Sequence, residues 1–431
     1  MNIVLAIIAV NIIIIAHEFG HFIVAKLCGM KVLQFSLFIG PQLFSFKING
    51  TKFAIRLIPI LAFVQLEGED KVSDSKDSFS SKPRWMRMSV MLAGPFASFL
   101  IGVLFLLIVF SVEGFISTRV SEVAPNSPAF QAGIKVGDKI IGYEGKRVYQ
   151  PTDLLSFIAV SKGRPAEIEF IRQGQPKPQT AFISPRIIPE SKRYLFGFSA
   201  QESSGKNSNV VQSVGANTPA ARAGLRPKDR IIQLNETPVF TVQEIHEFQS
   251  RNKGKPVEVT VLRDQMEVVL TIIPEEEKIP EQYDLGIAFT LERQGFIGAF
   301  KQSFLSIYTM SRSVAYSLAW LITGKVSVNE MMGAVGMVNV ISSAIRQSPT
   351  VWDTLSILLQ FSALISIVLG ATNLIPFPGL DGGKFLILLI ETVTRKPLPV
   401  EKEAMISMIG MALLVLLGVY LIFNDILRII S

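Results

Sequence analysis

The chain has 431 residues, 49% of them hydrophobic and 18% charged, with 42 Lys and Arg against 35 Asp and Glu and a formal net charge of +7. A long central region is polar, so the apolar residues gather toward the two ends, the pattern of a membrane protein with an inserted soluble part. The basic residues are spread out and flank apolar segments, without the stripe and interleaved aromatics of a nucleic-acid surface, and the single cysteine, Cys28, allows neither an internal disulfide nor a CxxC site.

The first apolar stretch, residues 1–28, lacks a basic leader and a small-residue cleavage site, and therefore reads as a retained transmembrane helix rather than a signal peptide. Within it stands His17-Glu18-Phe19-Gly20-His21. On a helix, residues four apart lie on one face, about 40° apart around the axis, so both imidazoles can reach one metal ion. Glu18, beside His17, can take a proton from a water polarised by that ion, the division of labour of HExxH zinc hydrolases. Acidic or basic groups inside a membrane segment cost about 2.5–3.5 kcal/mol each, which favours a functional reading over a chance pair of core histidines.

Residues 29–70 alternate with a short period on either side of Asn49-Gly50, a β-hairpin signal. An open sheet does not cross lipid, so this element should be membrane-associated, dipping into the membrane face or lining a cavity, where an edge strand can take an extended peptide by strand addition. A polar linker, 71–87, follows on the cytoplasmic side, where Lys26 to Arg87 supply the positive charge. Residues 88–112 are long enough to span, and Ala93-Gly94-Pro95 should loosen the backbone near one end. The region after Gly114 is then on the outer side.

That outer region repeats itself: the copy starting at Val120 and the copy starting at Val211 share V-x-x-V-x-x-N-[ST]-P-A-x-x-A-G-[IL]. The pattern resembles a tandem of PDZ domains in circularly permuted order, with copies at 114–202 and 203–292 and a short join near Ser203 to Ser208. By that resemblance each copy closes with its own glycine-containing strand, and Phe196, Gly197, Leu285 and Gly286 belong to loops that hold a peptide carboxylate on backbone N–H groups. His246, on the second copy's helix, has no partner motif and reads as a surface residue.

Residues 295–346 suit interfacial or re-entrant helices, 352–376 form a third span, and 404–423 a fourth. The third span ends in a Pro/Gly break that carries Asp381, the leading candidate for a third zinc ligand, although an acid there can also cap the following helix. Asn373, one or two turns upstream, can donate to a substrate carbonyl or satisfy freed backbone groups.

HEFGH in the first helix, AGP in the second span, the tandem repeats and N-x-x-P-x-P-x-LDGG in the third span together resemble the site-2 proteases, in their bacterial regulator-of-sigma-E branch. The resemblance implies a polytopic α-helical membrane protein of about four transmembrane helices, with a membrane-associated β-hairpin element and two inserted PDZ-like α+β domains. It implies zinc held by His17, His21 and Asp381, Glu18 as general base and Asn373 in substrate binding. It further implies a bacterial inner-membrane enzyme, active site toward the cytoplasm and PDZ-like domains in the periplasm, serving stress response. Its partners would be the lipid bilayer and trimmed single-span proteins, such as anti-sigma factors or signal-peptide remnants. The chain departs from the family at Leu61-Ala62-Phe63-Val64 in place of GGYV, at Ser98 in place of Asn, and at Gly333-Ala334 in place of GP, none of which is expected to touch a ligand. Two other classes compete: a membrane-tethered PDZ adaptor without proteolytic activity, which has no reason to keep ionisable groups in lipid, and a transporter, for which no inverted repeat is visible.

Overall fold

The computed structural model describes residues 2–430 apart from 70–72, 204–205, 216–217, 280, 332, 349 and 397, so parts of the linker and of the join near Ser203 to Ser208 lie outside the described residues. Among the described residues, four helices are long and apolar enough to cross a membrane: Ile7–Leu27, Arg84–Val112, Val351–Asn373 and Glu401–Leu427. The first three pack together through missing side chains. A Cβ at Gly20 would lie 2.4 Å from the Ala93 carbonyl oxygen of the second helix, and one at Gly102 would lie 2.5 Å from Ile367 of the third. Pro95 sits inside the second helix without ending it.

The β element has strands Val32–Ile48 and Thr51–Leu66 joined at Asn49-Gly50, both in the left-handed region that the turn requires. It is not one straight hairpin. Residues 34–37 pair with 65–62 on one side and with 52–55 on the other, so each long strand bends back on itself. The bends fall at Phe38 to Pro41 and Pro59 to Leu61, where prolines cannot donate to a ladder and Phe38, Gly40 and Leu61 have positive φ. Residues 61–66 form an edge of the resulting sheet, with no further strand on their other side among the described residues. Below it, Ala25, Val32, Leu66, Val90, Met91 and Leu388 share one apolar core, which ties the first and second helices, the sheet and the helix Asp381–Thr394 together.

The outer region folds as two units of the same plan, each a sheet with a four-residue helix and a longer helix. The sequence reading gave each copy its own closing strand; the structure exchanges them. Phe198–Ser203 pairs with Lys206–Val214 of the second copy, and Ile287–Glu292 pairs with Phe115–Val123 of the first. The first unit's sheet runs 287–292, 115–123, 139–143, 166–172, 175–183, and the second's runs 198–203, 206–214, 230–234, 257–263, 266–272. The second unit is thus inserted within the first, and the boundaries 114–202 and 203–292 do not describe the folded units. Loop closure explains the exchange. Ser203 pairs with Lys206, three positions on in the chain, a far shorter closure than reaching back to Val123. Leu285 accordingly sits in the first core and Phe196 in the second. Pairing of Glu292 with Phe115 brings the outer region's two ends together at the end of the second helix.

A 28-residue helix, Gly295–Ile322, follows and holds the first unit. Its Ile307 and Met310 pack beside Leu106, Ala363 and Ile367 of the second and third helices. Its Arg312 lies 2.8 Å from Asp153 and stacks over Tyr149, Phe157, Tyr308 and Tyr316. Next, helix Ala334–Gln347 begins at Gly333, whose N–H, with that of Gly336, donates to the buried Asp425 carboxylate of the last helix.

Each unit also carries a buried Asp paired with an Arg from the adjacent strand: Asp138 with Arg172 and Asp229 with Arg263. Burial pushes the Asp229 carboxyl upward, but the Arg263 guanidinium and the Arg226 amide outweigh it and hold the group below its usual range. Its contribution to stability is therefore complete above the ordinary carboxylate pKa, near pH 4, and is lost as pH falls through the depressed value. Removing one member of a buried pair costs about 3–5 kcal/mol. In the full-length chain, Arg263→Met should raise amide hydrogen exchange of strands 230–234 and 257–263 by about 10²-fold or more at neutral pH, leaving the first unit's strands unchanged. Wild-type protection in the variant would show that the pair does not stabilise the unit.

Candidate metal centre

His17 and His21 are buried on the face of the first helix that meets the second. Their outer ring nitrogens are fixed by the second helix: His21 Nδ1 donates to the Val90 carbonyl at 2.8 Å, and His17 Nδ1 lies 3.0 Å from Ser98 Oγ. An Nδ1 that donates to a carbonyl carries the ring proton, which leaves Nε2 as a lone pair. The two Nε2 atoms face each other at 3.3 Å. Gly94 makes the space they occupy, since a Cβ there would lie 2.2 Å from His21 Nε2 and 2.7 Å from His17 Nε2.

Asp381 comes from the other end of the chain. Leu380 occupies the cap position and Asp381 is the first helical residue, so its carboxylate is directed to the histidines rather than to its own helix. Its Oδ2 lies 3.2 Å from His17 Nε2 and 3.4 Å from His21 Nε2, buried and without a hydrogen-bond partner. The residues present fit a metal. Three electron-rich atoms from two helices lie within 4.8 Å of one another. A tetrahedral zinc about 2.0–2.1 Å from each nitrogen sets its ligand atoms roughly 3.3 Å apart, matching the distances seen. Three protein ligands leave one position for water or substrate.

Glu18 projects beside this group, its Oε2 accepting the Val64 N–H of the sheet's edge segment at 3.1 Å. Asn373 is the last residue of the third-span helix, and its Nδ2 donates to the Leu369 carbonyl one turn back. The loop candidates lie in the outer units. Gly197 and Gly286 have positive φ and close against Thr218 and Ser127. The Gly286 N–H is already engaged by the Asp284 carboxylate at 2.7 Å, the kind of group a peptide terminus would bring.

Sequence reasoning missed the second helix's part. The expectation that none of the departures touches a ligand fails at Ser98, which touches His17. Gly94 and Ser98, four residues apart on one face of a helix, were the available signal, whereas Val90 acts through its backbone carbonyl and its side chain signals nothing. Gly94 does not loosen the helix, which runs on through it; it clears room for two imidazoles.

The chain has relatives among known proteins. The chain is 28% identical over 456 residues to the regulator of sigma-E protease RseP of Salmonella typhimurium, covering 98% of each chain. It is 28% identical over 507 residues, covering 99% of each, to a Thermotoga maritima protein provisionally named a zinc metalloprotease. Among solved structures, the HtrA3 PDZ domain bound to a phage-derived ligand matches 21% of this chain and 91% of its own at 22% identity, with a TM-score of 0.19. The family profile of the M50 peptidases covers residues 5–417, both halves of the centre and everything between them, and the chain belongs to Peptidase family M50.

Proposed function

We propose that this peptidase is an intramembrane zinc metalloprotease that cleaves single-span membrane proteins after their ectodomains have been trimmed. The observation that carries the reading is the convergence of His17 Nε2, His21 Nε2 and an otherwise unpartnered Asp381 Oδ2 at ligand spacing, with Glu18 alongside. Bound zinc supplies Lewis acidity toward water and the scissile carbonyl. The chain supplies the rest. Ser98 and the Val90 carbonyl keep both rings turned inward, Glu18 takes a proton from the attacking water and returns it to the leaving amine, and the surrounding apolar helices keep bulk water out.

Substrate enters as an extended strand along edge 61–66, which the Val64 contact brings to the catalytic carboxylate. Asn373 releases Leu369 to bind the substrate backbone. Basic residues on the 29–87 segment and at Lys384, Arg395, Lys396 and Lys402 support an active site facing the cytoplasm of a bacterial inner membrane, with the PDZ-like units periplasmic. There the paired ends of the outer region, Phe115 and Glu292, hold the units over the helices as a size filter. Occupation of the Gly286 N–H by Asp284 makes peptide capture secondary. The adaptor reading finds no support in the relatives or in the buried ligand set.

Three outcomes follow, each measured with purified full-length protein and a tagged single-span substrate. Glu18→Gln keeps shape but cannot accept the proton, so zinc content should stay at wild-type level while cleavage falls by about 10²-fold or more; normal turnover would end the hydrolase reading. Asp381→Asn replaces a charged ligand with a neutral amide and should lose zinc on dialysis as well as activity. If the variant holds zinc as tightly as wild type, the third ligand is another residue. Replacing residues 114–292 by a flexible linker should allow cleavage of a substrate that still carries its folded ectodomain, whereas substitutions at Gly197 should leave trimmed substrate cleaved as before. An active deletion variant that still rejects the intact substrate would place the filter elsewhere.

A further inference from the structure

Lys384 lies three residues after Asp381, one turn along the same helix. Its ammonium is 2.7 Å from Glu69 Oε1, with side chains only 20% and 16% exposed. Glu69 stands three residues beyond the end of the edge strand at Leu66. The strand is therefore tied to the site twice: by Val64 N–H to Glu18 on the first helix, and through Glu69 to the helix that carries Asp381. The second tie is not what fixes that helix. The buried Glu391, farther along it, meets Arg87 of the second helix at 3.4 Å and accepts the Leu398 N–H at 2.8 Å, and Leu388 is sealed in the shared core. The ladder with residues 34–37 fixes the segment within its sheet, but the apolar contact of that sheet with the helices, through Leu66 and the shared core, is non-directional and tolerates sliding. Sliding would part the mostly buried ion pair and leave its charges uncompensated.

We infer that the Lys384–Glu69 ion pair is a positioning device that fixes the register of edge segment 61–66 against the metal centre, and so selects which peptide bond of a strand-paired substrate meets Glu18. A shift of the sheet by one residue repeat along this edge, about 3.3 Å, is enough to present a different bond. The inference rests on the reading that the edge takes substrate, and it assigns that edge its ruler.

The test uses the full-length zinc-loaded chain and a single-span substrate, with product termini read by mass spectrometry, kcat and KM measured, and zinc counted. Glu69→Gln and Lys384→Met should each keep the wild-type zinc content, cut at neighbouring bonds as well as the original one, and lose about 10- to 100-fold in kcat/KM at the original bond. Lys384→Arg, which keeps charge and reach, should cut as wild type does. Unchanged products and kcat/KM in both single variants would overturn the inference. Loss of zinc from them would also overturn it, by showing that the pair serves the ligand helix. A wild-type protein that cuts nothing would remove the proposed activity and the inference with it.

Discussion

Two imidazole lone pairs and a carboxylate oxygen, held about 3.2–3.4 Å apart in an apolar surrounding, repel one another unless a cation stands between them. Much of the chain can be understood as the means of keeping them there. The first helix presents both rings on one face, the second removes its side chain at Gly94 and supplies Val90 and Ser98 as outer partners, and the helix after the third span adds Asp381. Close approach is a backbone matter. A single methyl at Gly20 or Gly94 would collide with the neighbouring helix or with the rings themselves.

The polar units are coupled to this centre by their attachment. Because the second unit is inserted in the first, and the first begins and ends in paired strands at the second helix, the outer region hangs from one place rather than from a flexible tether. Helix Gly295–Ile322 adds a brace, with Arg312 caged by four aromatic rings and paired to Asp153. The proposed size filter needs such a fixed unit, since a freely jointed one would screen poorly.

Legibility in the sequence followed the range of the interactions concerned. The i, i+4 histidines, the spans and the Asn49-Gly50 turn are local and could be read directly, and Asp381 stood out because an acid at a Pro/Gly break in an apolar run is costly. Strand exchange between the copies was not legible, since both closing strands meet the same Ser- or Thr-capped turn and only loop length separates the two pairings. The doubling back of the β element was signalled by Pro41 and Pro59, yet its pairing partners depend on register across a long separation. Ser98, Glu69 and Lys384 were hidden for a related reason: each is an ordinary polar residue until three-dimensional contact gives it a partner.

The account's central claim is the composition of the metal centre, and zinc-edge X-ray absorption on the purified full-length chain examines it without relying on activity. The account predicts one zinc in a shell of nitrogen and oxygen at about 2.0–2.1 Å, with the outer-shell signature of two imidazoles. A sulfur shell near 2.3 Å, which only Cys28 or a methionine could supply, or a shell without imidazole scattering, would contradict it.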